Sequence, residues 1–78
     1  MNIPSDLKER VIELLSENKM LTTSAIGRRL RISYYKALKL LSMMASDGIV
    51  KMVPIGDYNT FWKLNDKFKE KLEREKDG

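Results

Sequence analysis

The chain has 78 residues, neither cysteine nor histidine, and 15 Lys and Arg against 11 Asp and Glu, for a formal charge of +4. That length sets one domain with a single small core, and the missing residue types exclude disulfides, thiolate metal sites, the usual zinc constellations and imidazole acid–base chemistry. An apolar fraction of 42% argues for a folded chain, while no apolar run approaches the roughly 18–20 residues of a membrane span and no basic-then-apolar signal pattern opens the sequence, so a soluble cytoplasmic protein is expected.

In chain order, Pro4-Ser5-Asp6 is a helix-start signal, with Ser5 as cap and Asp6 and Glu9 in the first turn, where the helix dipole favours negative charge. Leu7, Val11, Leu14 and Leu15 then fall on one apolar stripe that ends at Asn18-Lys19. Thr22 and Thr23 are candidate caps for a short second helix with Ala25, Ile26 and Leu30 inside and Arg28 and Arg29 outside. Arg31-Ile32 is a turn, and Ser33 caps a third helix from Tyr34 to about Asp47, stopped by Gly48.

Helical periodicity places Tyr34, Ala37, Leu38, Leu41, Met44 and Ala45 on the core side of the third helix. It places Tyr35, Lys36, Lys39, Ser42, Met43 and Ser46 on the other. Two β-branched or aromatic runs, 49–53 and 60–64, flank the turn residues 54–59 and predict a β-hairpin. Phe61 and Trp62 alternate across its second strand, with Trp62 expected beneath the last helix. Asn65-Asp66 starts that helix, where Phe68 and Leu72 make a thin apolar stripe and Lys69/Glu73, Glu70/Arg74 and Lys71/Glu75 stand at ion-pair spacing.

Charge is unevenly spread along these elements. Residues 1–19 carry three basic and four acidic side chains, and residues 54–78 carry six of each. Residues 20–53 carry Arg28, Arg29, Arg31, Lys36, Lys39 and Lys51 against Asp47 alone. The positive excess therefore lies on the two-helix unit and the strand after it, which is the electrostatic footprint of a nucleic-acid-binding element.

The order helix, helix, helix, hairpin, helix is mainly α with a small β-hairpin (α+β). With Leu21-Thr22 before the second helix, Ile26 through Leu30, Ile32-Ser33 at the turn, Leu41 and Met44 ahead of Gly48, and Ile49-Val50 after it, the chain resembles the winged helix-turn-helix superfamily of small bacterial and archaeal transcription regulators. The resemblance implies a winged helix-turn-helix domain over residues 1–64, followed by a charged C-terminal helix over 65–78 for packing or dimerisation. It also implies a sequence-recognising regulator that enters the major groove of double-stranded DNA with the N-terminal half of its third helix, as a nucleoid-associated cytoplasmic protein.

Carried onto this chain, the base-contact candidates are Ser33, Tyr35, Lys36 and Lys39, and Tyr34 is a packing residue. The phosphate-contact candidates are Arg28, Arg29, Arg31, Lys51 and Lys63. The wing tip Gly56-Asp57-Tyr58-Asn59 departs from the basic tips of many DNA-binding wings, since Asp57 would be repelled by phosphate. Leu64, Phe68 and Leu72 could join two copies into a homodimer or fold back on helix 1. No enzyme activity, metal or cofactor is implied.

Two other uses of the fold stay open. One is a protein-interaction subunit with exposed Met43, flanking Leu40 and the thin Phe68/Leu72 stripe as contact surface. The other is RNA binding, since the fold also resembles a small eukaryotic and archaeal ribosomal protein whose basic N-terminal extension is absent here.

Overall fold

A computed structural model describes residues 5–56 and 59–77. The expected start signal at Pro4, the Ser5 side chain and the wing-tip residues Asp57 and Tyr58 lie outside the described residues. The elements are α1 (Ser5–Glu17), β1 (Leu21–Thr22), α2 (Thr23–Leu30), α3 (Tyr34–Ser46), β2 (Val50–Ile55), β3 (Asn59–Leu64) and α4 (Asp66–Asp77). The three strands form one antiparallel sheet in the order β1-β3-β2.

The helices begin and end where side chains can satisfy their free backbone groups. Thr22 Oγ1 accepts the Ala25 N–H at 3.0 Å and Ser33 Oγ accepts the Lys36 N–H at 3.1 Å, so each caps the helix behind it. Past α3, Gly48 takes the left-handed conformation (φ 78°), which lets the Ile49 N–H reach back to the Met44 carbonyl at 2.9 Å and close the helix. Gly27 inside α2 serves close packing instead: a Cβ there would lie 3.3 Å from the Ile32 carbonyl oxygen and 3.4 Å from the Ala37 Cβ. α2 and α3 approach each other at that point.

Val11 and Leu15 of α1, Ile26 and Leu30 of α2, Leu40, Leu41 and Met44 of α3, and Val50, Trp62 and Leu64 of the sheet make one core. Phe68 and Leu72 of α4 are half-buried against that core. Trp62 is 2% exposed, and its indole Nε1 donates to Thr23 Oγ1 at 2.7 Å. This hydrogen bond between buried groups 39 residues apart fixes β3 to the first turn of α2.

The structure departs from the sequence expectations at several points. Tyr34 was placed in the core and is exposed, whereas Leu40 was placed at the surface and is 3% exposed. The reason is that α3 packs against both α2 and β2, so the buried arc is centred on Ala37, Leu40, Leu41 and Met44. Tyr34, in the first turn, projects past the end of the core. The hairpin strands run further than expected, to Ile55 and from Asn59, because the Pro54↔Thr60 and Ile55↔Asn59 pairs continue the ladder. β1 was not expected at all: Leu21 pairs with Trp62 and Thr22 with Phe61. Of the spaced charges on α4, none of the three expected pairs is closed. Among the described residues the ion pair formed is Lys63–Asp66 at 3.8 Å.

Candidate nucleic-acid interface

α2, the Arg31 turn and the first half of α3 bring one set of cations to the surface. Arg28 and Arg29 occupy the exposed face of the last turn of α2, while Ile26, Gly27 and Leu30 occupy its buried face. The amphipathic split of that short helix thus leaves its arginines outward. Arg10 of α1 donates from Nη2 to the Arg29 carbonyl at 3.3 Å, placing a further cation at the C-terminal end of α2.

Arg31 ends α2 in a left-handed conformation (φ 58°, ψ 44°), with its N–H on the Arg28 carbonyl at 3.2 Å and the following Ile32 N–H on the Gly27 carbonyl at 2.9 Å. Glycine is the favoured residue in this conformation, and a side chain there costs about 1–2 kcal/mol. An arginine at this turn is therefore held at a loss to the fold, with its charge exposed beside Arg28 and Arg29.

On α3, Ser33, Tyr34, Tyr35, Lys36 and Lys39 are all exposed, and Ser42, Met43 and Ser46 continue the exposed face towards the C-terminus. Neither α2 nor α3 contains an acidic residue; Asp47, the cap at the far end of α3, is the first one met. Ser33, Tyr35, Lys36 and Lys39 are thus each open to solvent, as are Arg28, Arg29 and Arg31 on the preceding helix and turn.

The strand lysines lie on the sheet. Lys51 and Lys63 face each other across β2 and β3, a like-charge pair that raises the potential of the sheet face near the base of the hairpin. Lys63 leans to Asp66, an exposed partner at 3.8 Å, and so surface-screened a pair holds it weakly. Of the other sequence candidates, Leu64 is inside the core and Phe68 and Leu72 line its edge. What sequence reasoning missed was Tyr34 as part of the exposed face. The signal available was its position in the first turn, directly after the Ser33 cap.

Among the described residues there is no cluster of acidic side chains suited to a metal ion, and no helix is long and apolar enough to cross a membrane. A concavity of about 500 Å³ is an open depression between the end of α1 and the start of α4, lined by Leu15, Met20, Lys19, Lys63, Asp66 and Lys69 among others. None of its lining residues belongs to α3.

No protein-family model matches this chain, and no curated protein sequence matches it. Solved structures do. A variant of Lactococcus lactis ZitR in apo form superposes with a TM-score of 0.74 at 22% identity, over 94% of this chain and 59% of ZitR. A variant of MarR from E. coli complexed with operator DNA gives a TM-score of 0.77 at 16% identity, over 94% of this chain and 53% of MarR. The Zalpha domain of PKZ in complex with ds(CG)6 gives 0.71 at 15% identity, over 78% of this chain and 97% of that one. This chain thus spans less than two thirds of the ZitR and MarR chains it matches. With helices and a three-stranded antiparallel sheet in the same arrangement, its fold is the winged helix-turn-helix.

Proposed function

We propose that this chain is a DNA-binding transcription regulator that sets the N-terminal half of α3 in the major groove of double-stranded DNA. The observation that carries the reading is the set of exposed cations on α2, the Arg31 turn and the start of α3, segments with no acidic residue of their own, although Glu13 and Glu17 of α1 share a depression with Arg29. In a helix-turn-helix, the helix before the turn crosses the phosphate backbone and the one after it meets the base edges. Arg28, Arg29 and Arg31 then contact phosphates, while Ser33, Tyr35, Lys36 and Lys39 are presented to the groove. Lys51 and Lys63 supply weaker backbone contacts from the wing strands, Lys63 by exchanging Asp66 for a phosphate oxygen. The role is one of binding rather than catalysis, and chromosomal DNA in the cytoplasm is its setting.

That ZitR is also known as a complex with DNA, and that the MarR and Zalpha structures above hold duplexes, supports this use of the fold. One recognition helix makes few base contacts, too few for high selectivity alone. The reading therefore includes a homodimer through α4, in which the uncovered parts of Phe68 and Leu72 meet a second copy and the pair reads a two-fold site.

The test is binding of the whole chain to random-sequence duplex DNA, with RNA duplexes and single strands alongside. Tight, salt-sensitive binding to duplex DNA with weaker binding to RNA is expected. Equal or tighter binding to RNA, or none to DNA at low salt, overturns the reading.

A further inference from the structure

Tyr34 and Tyr35 open α3, and neither is absorbed by the core. They are 50% and 81% exposed, and Tyr35 is the most exposed large apolar side chain among the described residues. Their rings meet edge to face, with centroids 6.0 Å apart and planes at 81°. That geometry suits the ring quadrupoles. It also holds the Tyr35 ring against a neighbour, so less side-chain freedom is lost when the ring meets a partner.

An aromatic face left in water at the leading end of the recognition helix is apolar surface that gains by being covered. The chemistry around it narrows what covers it. Lys36 and Lys39 follow on the exposed side of the same helix, and α3 itself carries no acidic residue. The lysines suit guanine O6 and N7, which accept hydrogen bonds, whereas a ring suits the apolar feature of the major groove, the 5-methyl group of thymine.

We propose that Tyr35, braced by Tyr34, is a thymine-reading residue whose ring packs on the C5-methyl group in the major groove. This rests on the DNA-binding reading above and adds a base identity to it. The contact belongs to the ring and not to the hydroxyl, so phenylalanine replaces tyrosine without loss of the preference. Tyr34 acts through Tyr35 as a positioning residue.

The experiment uses the duplex enriched by the parent protein from random sequence, and the same duplex with deoxyuridine in place of every thymidine. That exchange removes only methyl groups and keeps every hydrogen-bonding edge. The parent is expected to bind the thymine duplex more tightly by about fourfold for each methyl contacted, the ratio that burial of one such group supplies. Tyr35→Phe keeps the ratio, and Tyr34→Ala lowers it. Tyr35→Ala binds both duplexes alike while melting at the parent temperature. Equal binding of the two duplexes by the parent, a preference that survives in Tyr35→Ala, or selection that enriches no sequence overturns the assignment. A parent that binds no duplex at all overturns the DNA-binding reading itself, an outcome distinct from these.

Discussion

α3 and α4 are both helices with a charged exposed face, and they use charge in opposite ways. α4 carries five basic and five acidic residues in twelve, interleaved along its length. α3 with α2 carries four basic residues and no acidic one. Interleaved charge keeps a surface soluble with little long-range field, whereas charge of one sign concentrated on adjacent elements projects a potential that a polyanion feels at a distance. On the proposed reading the α2–α3 surface is the binding surface, and α4 supplies cover for the core together with the dimer contact. It also shows that a chain's net charge is less informative than its placement.

The largest effect that can break this comparison comes from reversing charge on each helix in turn. Lys36→Glu with Lys39→Glu is expected to weaken duplex binding on the order of 100-fold at low salt, since two attractions become two repulsions beside phosphate. Lys69→Glu with Lys71→Glu is expected to change it by less than about threefold. Titration of labelled duplex measures both, and equal losses on the two helices would erase the distinction.

Next in size is the role of α4 as cover. Phe68 packs against the core, so Phe68→Glu sets a charge in an apolar seam and is expected to lower stability by about 2–3 kcal/mol in thermal or denaturant melts. Where the parent is a dimer, the proposed α4 interface predicts that the same variant also sediments as a monomer, and a variant that melts like the parent removes Phe68 from the seam. A parent that is monomeric at all concentrations removes the dimer from the reading.

Arg28→Ala and Arg29→Ala sharpen the comparison within the binding surface. Each is expected to weaken all duplexes alike and to make the salt slope shallower by about 1, without altering the preferred sequence found by selection. A changed sequence preference would move these arginines from the backbone to the bases.

Arg31→Gly has the smallest expected effect and tests both levels at once. Relief of the left-handed side chain is expected to raise stability by about 1 kcal/mol, while the lost cation weakens duplex binding. Melting and titration of this one variant should therefore move in opposite directions. A less stable variant would show that the Arg31 side chain supports the fold.

Most of the helices and the hairpin were legible in the sequence because their signals are local. Thr22 and Ser33 cap, Gly48 stops α3, and the apolar spacing of Leu7, Val11 and Leu15 marks the inner face of α1. What escaped depends on partners distant in sequence. β1 is two residues long and exists only because β3 pairs with it. The Trp62–Thr23 hydrogen bond joins positions 39 apart, so Trp62 was expected beneath α4 while its indole is anchored at the start of α2. Tyr34 and Leu40 exchanged places because a helical wheel locates an apolar arc but not the neighbours that widen it, here β2 beside α3. The exposure of Arg28, Arg29, Arg31, Lys36 and Lys39 was readable for a different reason: each falls on the polar side of a short amphipathic helix or in the turn between the two.

The salt dependence of duplex binding tests the central claim most directly. If four or five cations of the α2–α3 surface and the strand after it neutralise phosphates, log affinity should fall linearly with log salt with a slope of roughly −4 per bound monomer. Binding that ignores salt, or no binding at low salt, would contradict the account.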